Sequence, residues 1–338
     1  MAKRCYGCMK KKESSPICEH CGFDENKRNH SHQLPMGTVL GGQYLLGKVV
    51  HQDDSHIAYL GWDQYMNKQV AVKEYFPKGH CSRDNHKNNT VAEKDDGYDY
   101  GGNMNLFLRE ETFLAKLYDH ANAVQIQRGL VENGTAYVVT EAPQGRTLRR
   151  HMEKLDRPLD IEEVLDTLGP VILAVTELHK EGIFHCNLNP DSVILLPDGS
   201  VKLKDFGAAL TLDEAVMLSR PGTLVVPCDG YAAPEMYGGK ELPGPWTDVY
   251  SLCALIHYCM TGEPPLSAQI RKEGNKSVDW YKIRSLPGWQ RQELDKGIEV
   301  LRSLRTNTAA ELYMNLFQDM LLLRALGDAA RDANSKRG

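Results

Sequence analysis

No apolar run in this chain approaches the roughly 20 residues that a membrane-spanning helix needs. The opening MAKRCYGCMKKKESS also lacks the apolar core of a secretory signal, so a cytoplasmic protein is expected. Neither sign of charge dominates: 40 Lys and Arg against 45 Asp and Glu leave a net charge of −5. No overall basic field therefore draws the chain to nucleic acid. An even set of cysteines spread along the chain, as a disulfide framework requires, is missing as well. Four of the nine fall within the first 21 residues, and Cys81, Cys186, Cys228, Cys253 and Cys259 are scattered. In a reducing compartment those five read as free thiols, mostly small buried hydrophobes. No internal repeat is evident.

A length of 338 residues with 41% hydrophobic content fits one large or two medium domains. Residues 1–25 form a small Cys-rich unit. Residues 26–38, polar and with one proline, read as a linker that carries His30 and His32. From residue 39 to about 143 the chain is β-rich, with QYLLGKVV, HIAYLGWD, QVAVKEYF, AVQIQRGL and TAYVVTEA at spacings that suggest an antiparallel sheet. NLFLREETFLAKLYDHA interrupts them as a helix with Leu106, Leu114 and Leu117 on one face. Residues 79–105, rich in Asn, Asp and Gly, read as a surface insertion. From about 144 to 327 the chain is helical. Pro170 should kink or break the run IEEVLDTLGPVILAVTELHKEG, and TDVYSLCALIHYCMTG reads as a buried helix. Residues 328–338 look like a flexible tail. The fold class is α+β: a β-rich lobe and a helical lobe, preceded by a small ribbon.

CYGC and CEHC are two knuckles with nine residues between them. Cys5, Cys8, Cys18 and Cys21 can meet as thiolates around one tetrahedral Zn²⁺. A unit of this size buries too little surface to fold alone, so the metal would supply folding energy. It resembles the short zinc ribbons that begin many bacterial regulatory proteins. Seven Lys and Arg against four Asp and Glu in residues 1–33 are a weak argument for nucleic acid, so protein contact or a purely structural role is the expectation.

Four runs together resemble a protein kinase, in a branch similar to bacterial Hanks-type Ser/Thr kinases: VAVK ending at Lys73, HCNLNPDS from His185, KDFG containing Asp205, Phe206 and Gly207, and AAPE ending at Glu235. The resemblance implies a bilobal fold. It implies that Lys73 holds phosphates and pairs with Glu110 (Glu111 being the adjacent alternative), that Asp205 holds Mg²⁺, and that Thr140 and Glu141 lie at the nucleotide hinge. It also implies structural roles. His185 would stack on Phe206 in a column extended by Leu114 and Ile126, Asp248 would anchor that column, and Glu235 would pair with Arg305.

Four expected parts are missing. Where G-x-G-x-x-G should bring backbone N–H groups to the phosphates, the run is HQDDSH, with His51, Asp53 and His56 at the glycine positions. Asn187 stands where an Asp should accept the substrate proton, a service worth about 10²–10⁴-fold. Ser192 stands where an Asn should hold metal, and Cys186 where an Arg should read a phosphorylated activation segment. These losses point to a pseudokinase: a signalling or scaffold protein without effective catalysis, with a structural zinc, doubtful ATP and Mg²⁺, and a protein partner such as an active kinase or a signalling substrate. A weakly active Ser/Thr kinase (or another nucleotide-derived transferase) is the alternative. A zinc-ribbon nucleic-acid binder with a kinase-like regulatory body is the second alternative.

Overall fold

The computed structural model describes residues 3–13, 15–84, 89–211, 227–238, 241–274, 276–280, 283 and 286–317, without the side chains of residues 110, 111 and 114. The expected contacts of Glu110, Glu111 and Leu114, and the tail from 328, lie outside the described residues. The chain divides after Pro143 into two compact units.

The first unit is built on a six-stranded antiparallel sheet in the order β1 (Val39–Leu40), β2 (Tyr44–Gln52), β3 (His56–Asp63), β4 (Lys68–Tyr75), β8 (Thr135–Glu141) and β7 (Ile126–Glu132). Alternation in β4 sends Val70, Val72 and Glu74 to the core and leaves Ala71 and Lys73 on the other face. Tyr59, Ile57, Leu46, Tyr137 and Val139 complete that core, and each such buried side chain contributes about 1.5–3 kcal/mol. Helix α1 (Tyr100–Lys116) packs on it through buried Phe107, while Phe113 and, just past the helix, Leu117 are buried as well. Leu106, expected on the buried face, is only half-buried, because the two bulkier phenylalanines set the helix's rotation.

Two segments are more deeply built in than their composition suggested. Residues 26–38 pack on the sheet: Leu34 is fully buried, its N–H reaches Tyr59 Oη at 3.0 Å, and Asn29 donates to Leu34 O at 2.7 Å. Within 79–105, β5 (Cys81–Asp84) and β6 (Thr90–Glu93) form a hairpin whose Arg83 runs inward. Its guanidinium donates to Glu74 Oε1 at 2.6 Å and, through Nε, to His32 O at 3.0 Å. Both side chains of the Arg83–Glu74 pair are wholly buried. Tyr59 donates to the other Glu74 oxygen at 2.7 Å. A buried charge pair survives only when fully hydrogen-bonded, and these contacts meet that condition. The polar composition concealed a network that ties linker, hairpin and sheet together.

The second unit is mainly helical. Strand β9 (Arg146–Thr147) leads into α2 (Leu148–Leu155), which starts at the Thr147 cap. Helix α3 (Ile161–Lys180) opens with a capping box in which Asp160 accepts Glu163 N–H and the Glu163 side chain accepts Asp160 N–H. Pro170 sits inside α3 without ending it. Ten buried residues on this helix offset the one backbone bond that proline removes. Helix α4 (Pro245–Thr261) is buried along most of its length and packs on α3. Between α3 and α4 run the short strands β10 (Ile183–Phe184), β11 (Val193–Leu195), β12 (Val201–Leu203) and β13 (Leu210–Thr211). Pairing of β11 with β12 and of β10 with β13 holds the loop from His185 to Ser192 and the turn at Asp205. Helices α5 (Ala268–Gly274) and α6 (Gly288–Gly297) follow.

Candidate nucleotide and metal sites

The β2–β3 hairpin turns through Asp53, Asp54 and Ser55. Asp53 Oδ1 accepts the backbone N–H groups of Ser55 and His56, both at 2.7 Å. Asp53 N–H donates to His56 O at 3.1 Å. The turn is also pinned from β4's exit, where Phe76 N–H donates to Ser55 O and Lys78 N–H to Asp54 O. His56 Nδ1 lies 3.4 Å from Asp53 Oδ1 and His51 Nε2 lies 3.8 Å from Oδ2. Burial works against the Asp53 charge, but the His56 imidazole and the two amides outweigh it and hold the carboxyl well below the usual range. The Asp53 carboxylate thus occupies two of the turn's own backbone amides.

Lys73 lies mid-strand in β4, opposite Ala58 and Val138. Thr140 and Glu141 end β8. Thr140 Oγ1 donates to Glu141 O at 3.1 Å, and the Glu141 carboxylate accepts Gln125 N–H at 2.9 Å. Ile126 opens β7 half-buried against the first unit's core.

In the second unit, the loop after β10 is organised by Asp248 on α4. This fully buried carboxylate accepts His185 N–H at 2.8 Å, Cys186 N–H at 2.8 Å and His179 Nε2–H at 2.9 Å. His185 Nε2–H donates to Lys204 O at 3.0 Å and its Nδ1 accepts Asn187 N–H at 3.3 Å, which fixes one neutral tautomer. Its ring meets that of Phe206 at 4.7 Å between centroids. Cys186 is buried with φ 59°, and burial pushes its thiol well up, so it stays neutral.

Ser192 is wholly buried. Its hydroxyl donates to Asn189 O at 2.9 Å and accepts Asn189 N–H at 2.9 Å. The hydroxyl that could have ligated metal closes its own loop instead. Asn187 presents an amide, half-buried, and its backbone carbonyl accepts Asn189 Nδ2–H at 2.9 Å.

Asp205 has φ 66°, in the left-handed region. Successive side chains of extended backbone point apart. The reversed φ turns the Asp205 carboxylate back onto the ammonium of Lys204, its neighbour. Lys204 escaped the sequence reading; its only signal was a lysine directly before DFG.

Farther along, Arg305 Nη1 and Nη2 reach the two oxygens of Glu235 at 2.7 and 3.2 Å. Both side chains are wholly buried. Thr247 Oγ1–H adds a third donor to Glu235 at 2.8 Å, and Arg305 also donates to Glu299 O and Trp246 O.

The cysteine cluster is symmetrical. In each knuckle the N–H of the residue after the second cysteine closes on the carbonyl of the first: Met9 on Cys5 and Gly22 on Cys18. Met9 and Gly22 both have positive φ, 58° and 67°. The four Sγ atoms lie within 4.8 Å of one another, with Cys5–Cys21 at 3.7 Å and Cys8–Cys18 at 3.8 Å. Four Zn–S bonds of about 2.3 Å demand S···S edges of about 3.8 Å, so the cluster could hold a zinc ion. Gly7 N–H donates to Cys5 Sγ at 3.2 Å, a contact that favours a thiolate. Burial first, with the neighbouring Cys18 and Cys21 thiols adding to it, pushes the Cys5 thiol up to about 12, so a cation is needed to keep it ionised near neutrality.

The sequence pattern of the protein kinase domain matches residues 60–322. The chain belongs to the protein kinase family. Its fold is the kinase fold, with a β-sheet N-lobe and a helical C-lobe. Relatives include the Ser/Thr-protein kinase PknB of Mycobacterium leprae, 26% identical over 71% of this chain and 40% of that protein. Another is the probable Ser/Thr-protein kinase PknB of Lactococcus lactis, 25% identical over 69% of this chain and 34% of that one. The chain thus spans well under half the length of these curated relatives. The solved structure titled PpkA-294 apo form superposes with a TM-score of 0.69, covering 85% of this chain and all of that one at 23% identity. The relatives are Ser/Thr kinases by name, and the bacterial ones place this domain beside the Hanks-type enzymes. Among the described residues no helix is long and apolar enough to cross a membrane.

Proposed function

We propose that this kinase domain is a pseudokinase that acts through protein contacts, and that residues 1–25 are a zinc ribbon held by Cys5, Cys8, Cys18 and Cys21. Residues 39–327 are the kinase-like body in this reading. The observation that supports it most is the Asp53 carboxylate on the amides of Ser55 and His56. In this reading that resident anion takes the place of a phosphate. Lys204 acts as a resident cation on Asp205, the family's metal ligand, and the Ser192 hydroxyl is engaged by Asn189. The Ser55 and His56 amides, Asp205 and Ser192 each already have an internal partner, so Mg-ATP binding through them would have to break those contacts first. Asn187 then adds no basicity to a bound hydroxyl. These residues do not fit Mg-ATP in the family manner.

The partner in this reading is a protein, either an active kinase or a signalling substrate. Co-purification that survives Lys73→Ala tests it; loss of the partner in that variant would tie the contact to nucleotide. The second reading, a weakly active Ser/Thr kinase, draws on Lys73 and Asp205 being kept and on the names of the relatives. Intact mass after incubation with Mg-ATP separates the two, since phosphate incorporation lost in Asp205→Asn would favour the enzyme.

A further inference from the structure

The ribbon is joined to the sheet at one particular place. The β2–β3 register slips between Leu46 and Val49, leaving a bulge at Gly47 and Lys48. A bulge frees backbone groups from the ladder, and the ribbon uses one of them. Lys48 N–H donates to the carbonyl of Tyr6, inside the first cysteine knuckle, at 2.9 Å. Gly47 has no Cβ, and one would overlap both Tyr6 O and Met9 Cε, so the knuckle's backbone lies directly on the strand. Met9, the positive-φ residue that closes this knuckle, is buried there. On the paired strand, the Arg4 guanidinium lies 3.3 Å from the centre of the Trp62 ring in β3. The two strands that carry the HQDDSH turn at one end are therefore clasped by the knuckle at the other. The knuckle's shape depends on the Cys5 and Cys8 sulfurs being drawn together.

We infer that the cysteine cluster is a regulatory metal site: a thiophilic divalent cation, zinc or its analogues, holds β2 at Gly47–Lys48 and through it the conformation of the His51–His56 turn. This rests on the zinc reading of the four cysteines given above. When the metal leaves, Cys5 and Cys8 separate, Tyr6 O withdraws from Lys48 N–H, and the bulge loses the partner that defines it. The knuckle is then not an appendage on a tether. It is an internal ligand of the sheet, and its occupancy is reported at the turn that the family uses for phosphates.

The test uses the full chain. Released metal is first counted with a colorimetric zinc indicator after thiol blocking. Amide hydrogen exchange is then compared between zinc-loaded and chelated protein. On chelation, amides in 44–52, Lys48 above all, should exchange at least about tenfold faster while those in 126–141 keep their rates. Gly47→Ala, still zinc-loaded, should show the same local loosening, because its methyl group displaces the knuckle without touching a thiolate. Should that variant not fold, Arg4→Ala with a changed Trp62 emission serves in its place. Metal present but 44–52 unmoved on chelation would overturn the inference and leave the zinc ribbon standing. Equal loss of protection across 44–52 and 126–141 would also overturn it, since the metal would then prop the whole lobe. A chain that takes up no zinc would sink the inference together with the zinc reading itself.

Discussion

Asp53 accepts the backbone N–H of His56 at 2.7 Å, so the β2–β3 turn holds an anion of its own on its backbone amides. The carboxylate is about half exposed, and the histidines beside it are screened by solvent. Its contribution to stability is correspondingly modest, about 1 kcal/mol. Its folded pKa lies below its unfolded value of about 3.9, so that contribution is full above this pH and fades as pH falls towards the folded value. Urea midpoints of wild type and Asp53→Ala should therefore differ at pH 7 and converge in strong acid.

Lys204 and Asp205 form the second internal pairing. Removing the ammonium with Lys204→Ala should leave a carboxylate that seeks a cation. Titration with Mn²⁺ followed by paramagnetic resonance should show no saturable site at Asp205 in the wild type and a weak one in the variant. Equal Mn²⁺ binding in both would mean that Lys204 does not guard the carboxylate.

The Glu235–Arg305 contact should be costly to break singly. Both are wholly buried, so Arg305→Met leaves an unpaired carboxylate and should cost about 3–5 kcal/mol. Adding Glu235→Gln should recover part of that loss, because the stranded charge is gone. Denaturant unfolding of the three proteins measures the coupling.

Asp248 should be similarly sensitive. Asp248→Asn keeps the shape but replaces one accepting oxygen by a donor, which then faces either Cys186 N–H at the Oδ1 position or His185 N–H and His179 Nε2–H at the Oδ2 position. A loss of at least about 2 kcal/mol is expected in chemical unfolding.

Placement was legible where one residue type marks it: the clustering of the four cysteines, Lys73 on a strand and the apolar helix α4 could all be placed from pattern. What escaped depends on backbone geometry and distant partners. Lys204 meets Asp205 only because φ reverses at Asp205, which no neighbour-by-neighbour reading reveals. Arg83 sits in an Asn- and Asp-rich stretch that looks like surface, yet its partner Glu74 and the carbonyl of His32 bury it. Residues 26–38 offered a single core side chain, Leu34, too little apolar signal to show that they lie on the sheet. Pro170 broke a propensity rule that α3's packing overrides. At Asp53 the pattern showed only a carboxylate where glycine was expected, and the turn's geometry shows what that carboxylate holds.

The most direct measurement is calorimetric titration of the zinc-loaded wild-type chain with ATP in the presence of Mg²⁺, alongside the double variant Asp53→Gly with Lys204→Ala. If the internal anion and cation occupy the groups that nucleotide needs, the wild type gives no saturable heat to millimolar ATP, while the double variant gains weak binding. Saturable one-to-one binding of Mg-ATP to the wild type, lost in Asp205→Asn, would contradict the account.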